Sequence, residues 1–211
     1  MSMIIKVCGM REAENIREVE RLGADWLGFI FHPGSPRFVS EVPAYLPEPA
    51  KRVGVFVNEQ PEVMMERARE YGLSLIQLHG NESPTLCQSL RDSVLKVIKA
   101  FSIESHKPFP ADEVRSYEGK CDYFLFDTKT AMHGGSGRKF DWQVLDAYHG
   151  ETPFLLSGGI SPQDTKAIGS FSHPRWAGID LNSRFETSPG VKEISLLREF
   201  IDRVRGITMG Q

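Results

Sequence analysis

Residues 4–30 read IIKVCGMREAENIREVERLGADWLGFI. The stretch opens on a short apolar run, Ile4–Val7, and ends by entering a second, Trp26–Phe31. Between them Ala13, Ile16, Val19 and Leu22 recur at every third residue among Glu and Arg, roughly one helical face. Strand, helix, strand is a parallel crossover unit, because parallel strands need a covering connection rather than a tight hairpin. The same alternation continues through the chain. Further runs fall at Val53–Val57, Leu75–His79, Val94–Ala100, Tyr123–Asp127, Phe154–Ser157 and Ala177–Leu181, making eight. Pro61 marks a helix start, with Met64, Ala68 and Tyr71 following at helical spacing. Pro84, Asp141 and Pro162-Gln163-Asp164 mark others, and Ile194, Leu197, Ile201 and Val204 form a closing apolar stripe. After Phe31 and Ala100 the chain is Pro-rich and weakly periodic, which predicts short or irregular helices there.

Eight units of about 26 residues predict a single (β/α)8 TIM barrel of minimal size over residues 1–211. The other arrangement of such units, a doubly wound sheet, often carries Gly-x-Gly-x-x-Gly after its first strand. Here that position reads Cys8-Gly9-Met10-Arg11 and does not match. Charge narrows the function classes. Lys and Arg number 25 against 28 Asp and Glu, a net −3 with no basic block, which argues against nucleic acid as a partner. No apolar run approaches the ~20 residues of a membrane span, and the first residues lack the pattern of a signal peptide. Three scattered cysteines, Cys8, Cys87 and Cys121, provide neither a Cys-x-x-Cys metal site nor a full disulfide framework. They suit a reducing cytoplasm.

In such barrels chemistry sits at the C-terminal ends of the strands. Ser157-Gly158-Gly159-Ile160 follows the seventh run and leads into a helix start. Glycines there let backbone N–H groups approach phosphate oxygens; a plain tight turn is the competing reading. Gly134-Gly135-Ser136-Gly137, after the sixth run, reads either as a closing loop or as ordinary surface. Cys8 and Asp127 are the sharpest pair. Alternation puts Ile4, Lys6 and Cys8 on one face, and Tyr123, Leu125 and Asp127 on one face, so both strand-terminal groups aim at the mouth. Either residue by itself also reads structurally, as packed core or as a cap. Together they form a base–acid couple, given a lowered thiol pKa and a raised carboxyl pKa.

Lys6 shares the parity of Cys8, and a buried ammonium requires a partner. The expectation is pairing with Asp180 or a substrate phosphate rather than with Asp127. Arg37, in Ser35-Pro36-Arg37-Phe38, has the fork geometry to grip a carboxylate, though a solvated surface arginine fits the same residue. His79 reads as a ligand contact or a structural histidine. Cys87 and Cys121 read as structural.

With these residues in place the chain resembles the phosphoribosylanthranilate isomerases of tryptophan biosynthesis. The matching stretches run in order: Lys6-Val7-Cys8-Gly9-Met10, Leu22-Gly23-Ala24-Asp25 with Gly28-Phe29-Ile30-Phe31, Ser35 to Ser40, Val53 to Asn58, Gln77-Leu78-His79-Gly80, Gly134 to Gly137 with Phe140-Asp141-Trp142, Ser157 to Ile160, and Pro189 to Lys192. The resemblance implies an Amadori rearrangement of a small phosphosugar substrate without cofactor or metal, in a cytoplasmic monomer or homodimer. It implies Cys8 as general base, Asp127 as general acid and Arg37 as receiver of the anthranilate carboxylate. Gly158, Gly159 and the segment Asp180, Asn182 and Ser183 are implied at the phosphate. One departure is visible after the eighth run, where Asn182-Ser183-Arg184 stands in place of the family's Ser-Ser-Gly. Arg184 is expected to point to solvent, since backbone N–H groups already serve the anion. Two rivals stand beside this reading. One is a Schiff-base aldolase or another phosphosugar isomerase, using Lys6 or Lys99; the other is a non-catalytic phosphosugar-binding barrel.

Overall fold

A computed structural model describes residues 3–93, 95–104, 107–128 and 141–209. Eight strands close into one barrel in sequence order, all pairs parallel. They are β1 (Ile4–Cys8), β2 (Trp26–Ile30), β3 (Lys51–Phe56), β4 (Leu75–Leu78), β5 (Lys96–Ile103), β6 (Tyr123–Thr128), β7 (Phe154–Leu156) and β8 (Trp176–Leu181). The eight expected runs are these strands. The largest difference lies at β5, which continues three residues past Ala100. Val94 lies outside the described residues, as does the Gly134–Gly137 segment.

The helices are α1 (Ala13–Arg21), α2 (Pro61–Tyr71), α3 (Pro84–Asp92), α4 (Ala111–Arg115), α5 (Thr165–Ser170) and α6 (Ile194–Met209). Pro61 and Pro84 open α2 and α3, where a missing N–H costs nothing, and Ser83 caps α3 through the Leu86 N–H. Asp141 accepts from the Gln143 N–H to start a 3₁₀ turn over Trp142–Ala147 rather than an α-helix. The Pro-rich stretch between β2 and β3 holds no helix, and α4 after β5 is five residues long. Both agree with the weak periodicity of those segments.

Two apolar layers hold the barrel. Trp26, Val53, Leu75, Ile98, Ala100, Leu125 and Leu155 fill its interior. The opposite strand faces pack beneath the helices as a larger cluster that includes Phe29, Phe124, Phe126 and Phe154. Between β8 and α6 the chain adds a small antiparallel hairpin, β9 (Glu186–Ser188) with β10 (Val191–Lys192). Asn15 of α1 clamps it: the side-chain amide donates to the Lys192 carbonyl at 3.0 Å and accepts from the Lys192 N–H at 2.8 Å. That clamp ties β10 to α1, the helix that follows β1. Among the described residues no helix is long and apolar enough to cross a membrane.

Candidate active site

A cavity of ≈ 210 Å³ opens at the C-terminal ends of the strands. Cys8, Asp127, Gly158, Gly159, Asp180, Asn182 and Ser183 all line it, with Gln77, His79 and Arg184. Seven of the eight residues expected at the site therefore meet in one place. The exception is Arg37.

Cys8 ends β1 beside Gly28 of β2. Its thiol is buried, and burial pushes its pKa up; Lys6 and Lys192 pull in the other direction, and Asp180 adds to the rise. The thiol is thus the resting form, contrary to the lowered pKa that a ready base requires. Lys6, fully buried, donates to Asp180 Oδ1 at 2.8 Å. Closure of the barrel makes this pair, since β1 and β8 register Lys6 against Asp180. Burial pulls the Lys6 pKa down, but Asp180 and Cys8 outweigh it and leave the group above the ordinary lysine value. Asp180 Oδ2 accepts from Ser157 at 3.3 Å. Its carboxylate is thus committed to the protein, and what Asp180 presents to a ligand is its position in the wall.

Asp127 projects from β6 with Oδ1 accepting from the Thr128 N–H at 2.8 Å. Its Oδ2 lies 3.3 Å from His79 Nε2. His79 Nδ1 faces the Gln77 amide nitrogen at 2.9 Å. His79 thus stands between Gln77 and Asp127, with Nε2 toward the carboxylate. His79 therefore contacts Asp127 and lines the cavity.

Gly158 carries φ +88°, and a β-carbon there would meet Thr128 Oγ1 and N. The Thr128 hydroxyl donates to the Gly158 carbonyl at 3.1 Å. Glycine is thus required by backbone conformation and by the approach of β6, a reason independent of any anion. After the neighbouring strand β8, Asn182 precedes a 3₁₀ turn, Ser183–Phe185, whose first N–H groups open the turn. Arg184 is exposed yet lines the cavity, so it stands at the rim as well as in solvent.

Arg37 is placed differently from the sequence expectation. Its Nε and Nη2 grip Glu186 of β9 at 2.6–3.0 Å, and its stem packs over Gly9. Glu186 also accepts from Lys192 Nζ at 2.6 Å, and Lys192 donates to Asn182 Oδ1 at 2.8 Å. Arg37 therefore sits next to the site but outside the cavity lining. Glu186 and Lys192 were not singled out from sequence. Lys192 lay within a matched motif, and no local pattern signals that a two-residue strand buries an ammonium.

Lys99 has no access to the cavity. On β5 it alternates with the interior residues Ile98 and Ala100, so it faces the helix layer. There it is held by Glu82 at 3.1 Å and by the carbonyls of Leu78, Gly80 and Ala100. This removes it as a Schiff-base candidate for chemistry in the barrel mouth. Cys87 and Cys121 are buried outside the site, in the helix layer. Among the described residues no group of His, Cys, Asp and Glu is arranged to hold a metal ion.

Comparison with known proteins places this architecture. A family model described as N-(5'phosphoribosyl)anthranilate (PRA) isomerase matches residues 5–203. The chain belongs to that family. An N-(5'-phosphoribosyl)anthranilate isomerase of Phocaeicola vulgatus is 53% identical over 203 residues, covering 96% of this chain and 98% of the relative. The phosphoribosyl anthranilate isomerase of Thermus thermophilus superposes with a TM-score of 0.78 at 29% identity, covering 97% of this chain and 100% of that one. A further family structure, in complex with reduced 1-(o-carboxyphenylamino)-1-deoxyribulose 5-phosphate, superposes with a TM-score of 0.75 at 28% identity, covering 97% and 99%. Membership of the phosphoribosylanthranilate isomerases makes the chain an isomerase of tryptophan biosynthesis.

Proposed function

We propose that the barrel mouth converts N-(5-phosphoribosyl)anthranilate to 1-(2-carboxyphenylamino)-1-deoxyribulose 5-phosphate, with Asp127 as general acid and Cys8 as general base. What carries this reading is the convergence of Cys8 and Asp127, from β1 and β6, on one cavity that has a glycine-lined wall. Asp127 gives its proton to the furanose ring oxygen as the C1′–O bond breaks, and the amine lone pair forms the Schiff base. The Cys8 thiolate then takes the C2′ proton, and the C–H electrons form the enol-amine, which tautomerises to the ketose. Each proton-transfer group faces a different substrate atom, so the two need not touch.

The phosphate falls to the backbone of Gly158, Gly159 and the Asn182–Ser183 segment, with Arg184 at the rim. Arg37 serves the anthranilate carboxylate from beside the cavity, its guanidinium aimed by Glu186. An acidic chain holds this dianion because these donors supply positive potential locally. The protein works in the cytoplasm on a small phosphosugar, as monomer or homodimer.

Loss of substrate fluorescence on turnover tests the assignment. Asp127→Asn and Cys8→Ala are each expected to lose turnover by at least 10²-fold, within the range of general acid–base catalysis, while still binding the reduced product analogue. Turnover like wild type in either variant sinks the corresponding role. Borohydride trapping of substrate on Lys6 would instead favour the aldolase reading.

A further inference from the structure

Arg37, Glu186, Lys192 and Asn182 are joined by a continuous chain of hydrogen bonds beside the cavity. Glu186 Oε1 accepts from Arg37 Nε at 2.9 Å and from Lys192 Nζ at 2.6 Å, and Lys192 Nζ donates to Asn182 Oδ1 at 2.8 Å. Glu186 Oε2 accepts from Arg37 Nη2 at 2.6 Å. A guanidinium presents its N–H donors in a fixed planar fork. Glu186 occupies the Nε–Nη2 edge of that fork, and among the described residues nothing binds Nη1. The outer Nη1–Nη2 edge is left for a second carboxylate. Asn182 is divided in the same way. An ammonium has no acceptor, so the atom facing Lys192 is the amide oxygen, and the amide donors lie on the other branch, Nδ2. Among the described residues Nδ2 has no partner, and Asn182 lines the cavity.

Placement and charge select the class of ligand group. β8 lies between β7 and β1 in the closed barrel. The Asn182 side chain leans to the β1 side: its Oδ1 is 3.0 Å from the position a β-carbon on Gly9 would take, and Arg37 Cδ is 2.6 Å from the same point. Gly158 and Gly159 follow β7, on the other flank of β8. The backbone after β8 can therefore face the phosphate while the Asn182 amide faces the Arg37 side. Arg37 and Lys192 bring two cations to this corner and Glu186 one carboxylate, while Lys6 and Asp180 match each other. Burial leaves the Lys192 ammonium below the ordinary lysine value in spite of Glu186, the mark of a cation short of negative charge. A single carboxylate from a ligand supplies that charge; a sugar hydroxyl does not.

We infer that Asn182 is a specificity-determining residue of the reaction: its Nδ2 group, left free by the Lys192–Oδ1 bond, joins Arg37 in receiving the aryl carboxylate of the substrate. The inference rests on the reading of Arg37 as receiver of that carboxylate, and it adds a side-chain contact to the backbone role of the segment at the phosphate.

The test pairs two stable ligands with the full chain. One is reduced 1-(o-carboxyphenylamino)-1-deoxyribulose 5-phosphate. The other is its phenylamino counterpart, identical except that the carboxyl group is missing. Titration calorimetry gives Kd of each for wild type, Asn182→Ala and Asn182→Asp. Asn182→Ala is expected to weaken the carboxylated ligand about tenfold, the scale of one hydrogen bond to a charged group, and the carboxyl-free ligand less than about twofold. Asn182→Asp keeps an oxygen for Lys192 but sets a carboxylate against that of the ligand, so it should weaken the carboxylated ligand by more than alanine does. With substrate, KM should rise by a similar factor and kcat should change little, because the carboxylate is bound alike before and during the reaction. Equal weakening of the two ligands by Asn182→Ala assigns the amide to the sugar or phosphate and overturns the inference; unchanged binding of both does the same. Should the alanine variant fail to fold, the isosteric aspartate decides: wild-type affinity for the carboxylated ligand in Asn182→Asp is equally fatal. Failure of the Arg37 reading looks different, since Arg37→Ala would then keep the full preference for the carboxylated ligand.

Discussion

Gly28 offers a direct test of how tightly the position of Cys8 is held. It lies opposite Cys8 in the β1–β2 register, and its backbone is compatible with any L-residue. A β-carbon added there would stand 2.7 Å from Cys8 Sγ, 3.1 Å from its Cα and 3.3 Å from its Cβ. Ordinary contact between such atoms begins at about 3.5 Å, so Gly28→Ala must drive the sulfur off by about 0.8 Å. Turning Sγ alone does not suffice, because the Cα and Cβ contacts are also short and move only with the strand. Overpacking of this kind costs about 1–3 kcal/mol of stability. A 1 Å misplacement of a reacting group costs on the order of 10²-fold in rate. Gly28→Ala is therefore expected to fold, melt a few degrees lower and lose roughly 10–100-fold in kcat. The proposed phosphate donors are backbone groups that Gly28 does not touch, so KM should move less than kcat. The assay is steady-state substrate fluorescence beside a thermal melt. Gly54→Ala is the control: a β-carbon there meets Leu73 and Phe56 in the helix-side layer, so stability should fall without a selective loss of kcat. Wild-type kcat in folded Gly28→Ala, or equal kcat losses in the two variants, refutes the argument that Cys8 geometry limits turnover.

Three further outcomes follow from the buried charges. Lys6→Met should cost about 3–5 kcal/mol in urea unfolding, because it strands the Asp180 carboxylate with Ser157; Lys6→Met combined with Asp180→Leu should recover much of that loss. Equal stability of the single and double variants would contradict it. Burial would raise the Glu186 carboxyl, but Arg37 and Lys192 hold it below its ordinary value. Its contribution is thus present above about pH 4.5, the usual glutamate range, and is lost as pH falls through the lower folded value. The stability gap between wild type and Glu186→Gln should close below that pH, and a constant gap would count against the pairing. Tyr117, buried and donating to the Glu82 carbonyl, has its pKa pushed up to about 12 by burial. Its contribution is complete below about pH 10 and disappears as pH rises toward 12, a decline that Tyr117→Phe should flatten. An identical alkaline limb in that variant would exclude Tyr117 as the cause.

Much of the site was legible because strand alternation is a local signal. The parity of Lys6 with Cys8 and of Leu125 with Asp127 follows from a period of two, and it pointed both proposed proton-transfer residues at the mouth. The Lys6–Asp180 pair could be anticipated because a buried ammonium must find an acid. Lys99 was not legible. Strands buried on both faces are apolar throughout, so alternation around Ile98, Lys99 and Ala100 does not reveal which side faces the barrel. Arg37 was half legible: a fork suited to a carboxylate is visible in its residue type, but the carboxylate it meets in the protein is Glu186, 149 residues away.

The sequence by itself determined the repeat of strand and crossover, the parallel order that this repeat requires, and the strand ends at which polar chemistry gathers. These depend on periodicity, capping and turn chemistry, which act within a few residues. Only the tertiary structure decided which charges meet. Barrel closure sets β1 against β8 and so Lys6 against Asp180, and Asn15 holds the β9–β10 hairpin from 177 residues away, where Lys192 meets Asn182 and Glu186. Electrostatic pairing depends on distance in space, and closure of the barrel makes neighbours of its first and last strands, which lie far apart in sequence.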